Sequence, residues 1–133
     1  SASRCSPTRS HSMRRDLLLL REMRDAAVAI RDLVGDRSAE DIEAESLRRS
    51  ALLWHFTVLG EAASQVPVET KDSHPRIAWR SATRLRNRIV HGYWDIDVET
   101  LVVTAVDDLP RMIDQLQAAI SALDAGEGAS PSL

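Results

Sequence analysis

The sequence predicts an all-helical protein, and three observations carry that prediction. Ala, Leu, Arg, Glu and Asp dominate the 133-residue chain while aromatics make up only 4%, a balance that favours helices over sheet. Apolar residues recur at spacings of three and four through several long segments. Capping and stop residues stand at the ends of those segments. The length suits one domain with a single core. The expected architecture is an up-and-down bundle of four to five helices.

Residues 1–12 are Ser-rich without apolar periodicity, the composition of a disordered leader, and the domain is expected to span 13–124. The first helix is predicted from Arg15 to Val34, with Leu20, Met23, Ala27, Ile30 and Val34 facing the core and Gly35 as its stop. Ser38 with Asp41 reads as the N-terminal cap of a short turn through Ile42. A second long helix follows from Ser46 to Ser64, with Leu47, Ala51, Trp54, Val58 and Ala62 as its stripe and Leu52, Leu59 and Ala63 beside it. Apolar over so much of its circumference, this helix is expected to be central to the bundle or shared with a partner. Glu61 is the one carboxylate within that surface, and the simple account places it at the rim.

Two prolines bracket a connection from Val66 to Pro75. A basic helix is predicted from Ile77 to His91, ended by Gly92 so that Tyr93 lies at or just beyond its C-terminus. The last helix starts at an Asp97 N-cap and carries Leu101, Ala105, Leu109, Met112, Leu116, Ile120 and Leu123. Pro110 should kink it without breaking it, because the periodicity resumes in phase. Residues 125–133 read as a flexible tail.

No run approaches the roughly 18 apolar residues of a membrane span or the length of a secretory signal, so a soluble cytoplasmic protein is expected. The single cysteine, Cys5, excludes an internal disulfide, and no His or Cys cluster has metal-ligand spacing, so neither a metal site nor a cofactor is expected. His11, His55 and His74 lack partners at ligand spacing and take no role.

Function points to residues 86–93, Arg-Asn-Arg-Ile-Val-His-Gly-Tyr. From His74 to His91 the chain carries five arginines (Arg76, Arg80, Arg84, Arg86 and Arg88) and no carboxylate, although its net charge is −3. On a helix, Arg80, Arg84, Arg88 and His91 share a face, while Arg86 points away from His91 at a wide angle. That divergence hints at a site assembled between two subunits.

The sequence resembles the HepT-like members of the HEPN superfamily of helical ribonucleases over Met13 to about Leu123. The resemblance rests on Leu59-Gly60-Glu61-Ala62-Ala63, Ile77-Ala78-Trp79, residues 86–93, Trp94-Asp95-Ile96-Asp97 and Asp108-Leu109-Pro110, in that order. The family's catalytic pattern of Arg, a polar residue, three variable residues and His maps onto Arg86, Asn87 and His91; Arg84 fits a looser spacing and ranks second because it lacks the polar neighbour. The resemblance implies a HEPN-like fold, a homodimer with its basic helices juxtaposed, and metal-independent cleavage of RNA. It also implies the toxin half of a toxin–antitoxin pair, silenced when an MNT-type nucleotidyltransferase adds AMP to the motif tyrosine, here Tyr93.

The chemistry stands on the residue types as well. A histidine can move protons near neutral pH, so His91 and its copy in a dimer could divide the roles of base for the 2′-hydroxyl and acid for the leaving oxygen. Arg86 would stabilise charge on the phosphorane, Asn87 would orient phosphate or imidazole, and Arg80, Arg84 and Arg88 would track the RNA backbone. Expected product ends are a 2′,3′-cyclic phosphate and a 5′-hydroxyl. Each residue also has a plainer role: a solvated arginine face, a helix-terminal histidine favoured by the dipole, a rim tyrosine, and Trp54 and Trp79 as core or interface packing. Asp95 and Asp97 read as turn and cap. The alternative function is a noncatalytic dimerisation module that docks a nucleotidyltransferase and binds nucleotide or RNA. A DNA-binding regulator is weaker, since no recognition-helix turn is evident and the net charge is negative.

Overall fold

The computed structural model describes residues 5–129, with side-chain surroundings for 14–93 and 95–126. Every regular element among them is helical: α1 (Cys5–Val34), α2 (Ala39–Glu43), α3 (Ser46–Gln65), α4 (Val68–Ser73), α5 (Trp79–His91), a 3-10 turn (Tyr93–Asp95), α6 (Val98–Val103), a π segment (Thr104–Asp108) and α7 (Leu109–Ala129). None is long and apolar enough to cross a membrane.

Helix α1 starts ten residues before the predicted Arg15, so the backbone of 5–12 is helical where the sequence reading has a disordered leader. Pro7 falls in the first turn, where its missing N–H costs no helical bond, and extending an existing helix needs no new nucleus. Residues 1–4 and 130–133 lie outside the described residues, and α7 continues to Ala129 through the first part of the predicted tail.

The first predicted stripe holds, with Leu20, Met23, Ala27, Ile30 and Val34 all buried. Gly35 ends α1 with a φ of +52°, and its N–H donates to the Arg31 carbonyl at 2.8 Å, a left-handed terminus that a side chain would strain. Arg48 donates Nη1 to the Leu33 carbonyl at 3.0 Å, satisfying another α1 end group from α3. Ser38 and Asp41 form the reciprocal capping box, and Asp97 caps α6 through the Glu99 N–H.

The stripe assigned to α3 needs correction. Its buried residues are Leu52, Leu53, Phe56, Leu59, Gly60, Ala62 and Ala63, whereas Leu47 is 87% exposed and Trp54 64%. Helix α3 is sandwiched between α1 and α5, and α7 packs on α1. Two of its apolar faces are thereby covered. The third, running through Leu47 and Trp54, is open.

The C-terminal rod keeps Leu101, Ala105, Leu109, Met112, Leu116 and Ile120 in the core in phase across Pro110. The π segment ends two residues before that proline. A proline removes one backbone donor and crowds the carbonyl four residues earlier, and a widened turn relieves both without ending the helix.

Candidate active site

Helix α5 presents Trp79, Ala82, Arg86 and Ile89 at spacings of three, four and three. Trp79, Ala82 and Ile89 are buried, and Arg86 occupies the core-facing position between them with its side chain only 31% exposed. Space for that guanidinium stem comes from Gly60. A methyl group built there would stand 2.5 Å from the Ala82 carbonyl oxygen, 3.1 Å from Arg86 Cγ and closer still to Arg86 Cβ. Only a residue without Cβ lets α3 and α5 approach this closely.

The neighbouring residue, Glu61, meets the charge that Gly60 admits. Arg86 Nη2 donates to Glu61 Oε1 at 2.9 Å, and Arg86 Nη1 donates to Asn87 Oδ1 at 2.8 Å. Gln65 Nε2 donates to the other Glu61 oxygen at 3.2 Å, while Gln65 Oε1 accepts from Arg15 Nη2 at 3.1 Å. The result is one polar chain across three helices, Arg15–Gln65–Glu61–Arg86–Asn87. Arg86 Nε is buried without a hydrogen-bond partner. A guanidinium has five N–H groups, so the two directed bonds fix its plane and leave further Nη protons for an anion.

Among the residues singled out in the sequence, Arg86 and Asn87 are thus brought together. His91, in the last position of α5, is exposed and on another flank, roughly 140° around the helix from Arg86. Arg84 and Arg88 line a cavity of about 390 Å³ on the flank away from Arg86, whereas Arg80 borders a separate depression beside Val68 and Lys71. Tyr93 opens the 3-10 turn just after Gly92 and is 37% exposed, with the Arg49 guanidinium carbon 5.5 Å from its ring centroid. That distance is within cation–π range and holds the turn toward α3. Trp79 is buried and donates Nε1–H to the His74 carbonyl at 3.0 Å, so it anchors the connection before α5; Trp54 is not in the core.

Sequence reasoning noted Glu61 but did not pair it with Arg86, and it passed over Gln65, Arg15 and Arg49. The available signal was the Gly-Glu step itself: a small residue and a carboxylate on an apolar helix, in a chain with an unpaired arginine run. Among the described residues, no group of three or more His, Cys, Asp and Glu is arranged to hold a metal ion.

The all-helical fold, with an Arg-Asn pair on its basic helix and a histidine at that helix's exposed end, is consistent with a HEPN-like domain. Residues 23–119 match the family described as Ribonuclease HepT-like, and the chain belongs to that family. A similar protein of Thermococcus cleftensis, named "Probable ribonuclease HepT", is 28% identical over 93 residues, covering 70% of this chain and 84% of its own. MJ0127 of Methanocaldococcus jannaschii, which carries a provisional RNase name, is 23% identical over 106 residues, covering 80% of this chain and 84% of its own. A third relative with a provisional RNase name, TTE0752 of Caldanaerobacter subterraneus, is 21% identical over 80 residues, 60% of this chain and 71% of its own. No solved structure matches the chain.

Proposed function

We propose that the protein is an endoribonuclease toxin that cleaves RNA without a metal ion, acts as a homodimer and is silenced by AMP addition to Tyr93. The observation that carries the reading is the oriented Arg86, clamped by Glu61 and Asn87 on the helix that ends in an exposed His91. In this reading His91 removes the 2′-hydroxyl proton, the 2′-oxygen attacks phosphorus, and the bond to the 5′-oxygen breaks as that oxygen takes a proton from the second His91. The products are a cyclic phosphate and a 5′-hydroxyl. The free Nη protons of Arg86 bind the non-bridging oxygens as their charge grows.

Dimerisation accounts for the divergence of Arg86 and His91 within one helix. Leu47, Trp54 and Glu61 recur every seven residues on α3, so the open apolar face leads directly to the Arg86 clamp. A second copy covering that face would bring its own basic helix to the site. AMP on Tyr93 would place a phosphodiester two residues from His91 with Arg49 beside it, closing the site by charge and bulk.

The test is incubation of wild-type protein and His91→Ala with defined RNAs in excess EDTA, with product ends identified and intact protein mass recorded. Cyclic phosphate ends that vanish in the variant are expected. Equal cleavage by both proteins would overturn the assignment of His91, and no cleavage by unmodified wild-type protein would favour the docking module.

A further inference from the structure

Helix α5 packs on α3, and α7 packs on α1, so the two outer helices hardly touch each other. The gap between them is the 390 Å³ cavity, within the range of about 300–1,000 Å³ that small-molecule sites occupy. Its floor is apolar and buried, made by Phe56 and Leu59 of α3 with Leu109 and Met112 of α7. Its mouth carries Arg76, Arg84, Arg88 and Arg111, all exposed, against the single carboxylate of Asp108.

The four arginines are electrostatically unspent. Among the described residues none of them has a carboxylate oxygen within 4.0 Å. Like charges gathered around one opening repel each other, and an anion relieves that repulsion on binding. One wall is built by Thr100, Thr104 and Asp108, where the helix passes into and through the π segment, a distortion that recurs at functional sites. At one end Gln115 donates to the Arg76 carbonyl at 3.4 Å and ties α7 to the segment ahead of α5.

We propose that this cleft binds a nucleoside monophosphate unit, with the base over the apolar floor and the phosphate among the arginines. Planar guanidinium groups suit both parts, since they stack on bases and grip phosphate oxygens. Inorganic anions would use the mouth and leave the floor wet. The cleft is separate from the Arg86 clamp, because Arg84 and Arg88 each lie roughly 200° around the helix from Arg86. His91 is one turn onward, roughly 60° around the helix from Arg88 and roughly 20° from Arg84. The unit bound is therefore either a nucleotide of the RNA strand beside the cleaved bond, which rests on the ribonuclease reading, or a free nucleotide, which does not.

The test is calorimetric titration of the full chain with AMP and with inorganic phosphate, on wild type, Arg76→Gln, Arg111→Gln and Ser81→Trp. Ser81 is exposed on the cleft lining, so the tryptophan fills the space without removing a charge. Wild type should bind AMP about tenfold or more tighter than phosphate, and each variant should weaken AMP about tenfold while its circular dichroism stays unchanged. A second arm measures a single-stranded ribo-oligonucleotide on His91→Ala with and without Arg111→Gln. Weakening of both AMP and RNA identifies a strand nucleotide, and weakening of AMP alone identifies a free one. Phosphate binding as tight as AMP, or wild-type AMP affinity in both Arg111→Gln and Ser81→Trp, would overturn the proposal. Every readout is binding, so failure of RNA cleavage would be seen separately.

Discussion

Replacing Gly60 with alanine tests the contact on which the whole site depends. The added methyl would lie 2.5 Å from the Ala82 carbonyl oxygen and still nearer Arg86 Cβ, whereas carbon atoms in contact rest at about 3.5–4.0 Å. Neither neighbour can rotate away, because one is backbone and the other is a Cβ fixed to its helix. The helices must therefore separate by about 1 Å or more. Overpacking of this kind costs about 1–3 kcal/mol, and more where backbone has to move. Alanine returns about 1 kcal/mol through its better helix propensity. Because backbone has to move here, the upper end of that range applies and the net loss is about 2 kcal/mol, or a fall in Tm of roughly 6–10 °C for a domain of this size. Gly126→Ala is the control, since nothing stands within 4 Å of that position and only the propensity gain remains. Thermal melts followed by circular dichroism at one fixed protein concentration would read both variants. A Gly60→Ala protein that melts at or above the wild-type temperature would refute the reasoning that Gly60 sets the α3–α5 distance.

Glu61→Gln should leave Tm within about 2 °C, because the pair is half-exposed and worth little as a salt bridge; it should lower kcat about tenfold without raising KM, since the guanidinium stays but loses its orientation, as steady-state cleavage kinetics would show. On the proposed dimer, Trp54→Asp should yield a monomer by light scattering where wild type gives a dimer, while the helical signal persists, because Trp54 touches the core of its own chain little. Tyr93→Phe should cut RNA at the wild-type rate and gain no AMP mass from the nucleotidyltransferase proposed as its partner, which mass spectrometry would detect.

The fold was legible wherever local chemistry and periodicity agreed. The α1 stripe ends at a glycine that takes positive φ, Ser38 and Asp41 satisfy each other's backbone, and the α7 stripe stays in phase past Pro110. Helix α3 was not legible in the same way. When nearly every face is apolar, periodicity cannot say which one is buried, and the answer depends on how many neighbours the bundle supplies. The site divides similarly. Arg86, Asn87, His91 and Tyr93 were visible as a spacing within one helix and its terminus. The Glu61 clamp and the arginine cleft join residues far apart in the chain, and their geometry follows from packing that no local pattern encodes.

The position of Arg86 argues that stability is not what it serves. Its neighbours on the buried stripe are Trp79, Ala82 and Ile89, and an aliphatic side chain would continue that stripe without leaving Nε buried and unpartnered. Removing one partner of a fully buried ion pair is destabilising because it strands the other charge, but the side chains of Arg86 and Glu61 are 31% and 46% exposed, so little of that cost applies here. Glu61 would keep its Gln65 hydrogen bond and its access to water. Arg86→Met should therefore melt within about 3 °C of wild type, or above it, while RNA cleavage falls by at least about a hundredfold through loss of the cation at the phosphorane. Melting and single-turnover cleavage on the same preparation separate the two effects. A variant that unfolds early but retains its per-molecule rate would make Arg86 a structural residue and move the phosphate-binding role to Arg84 and Arg88.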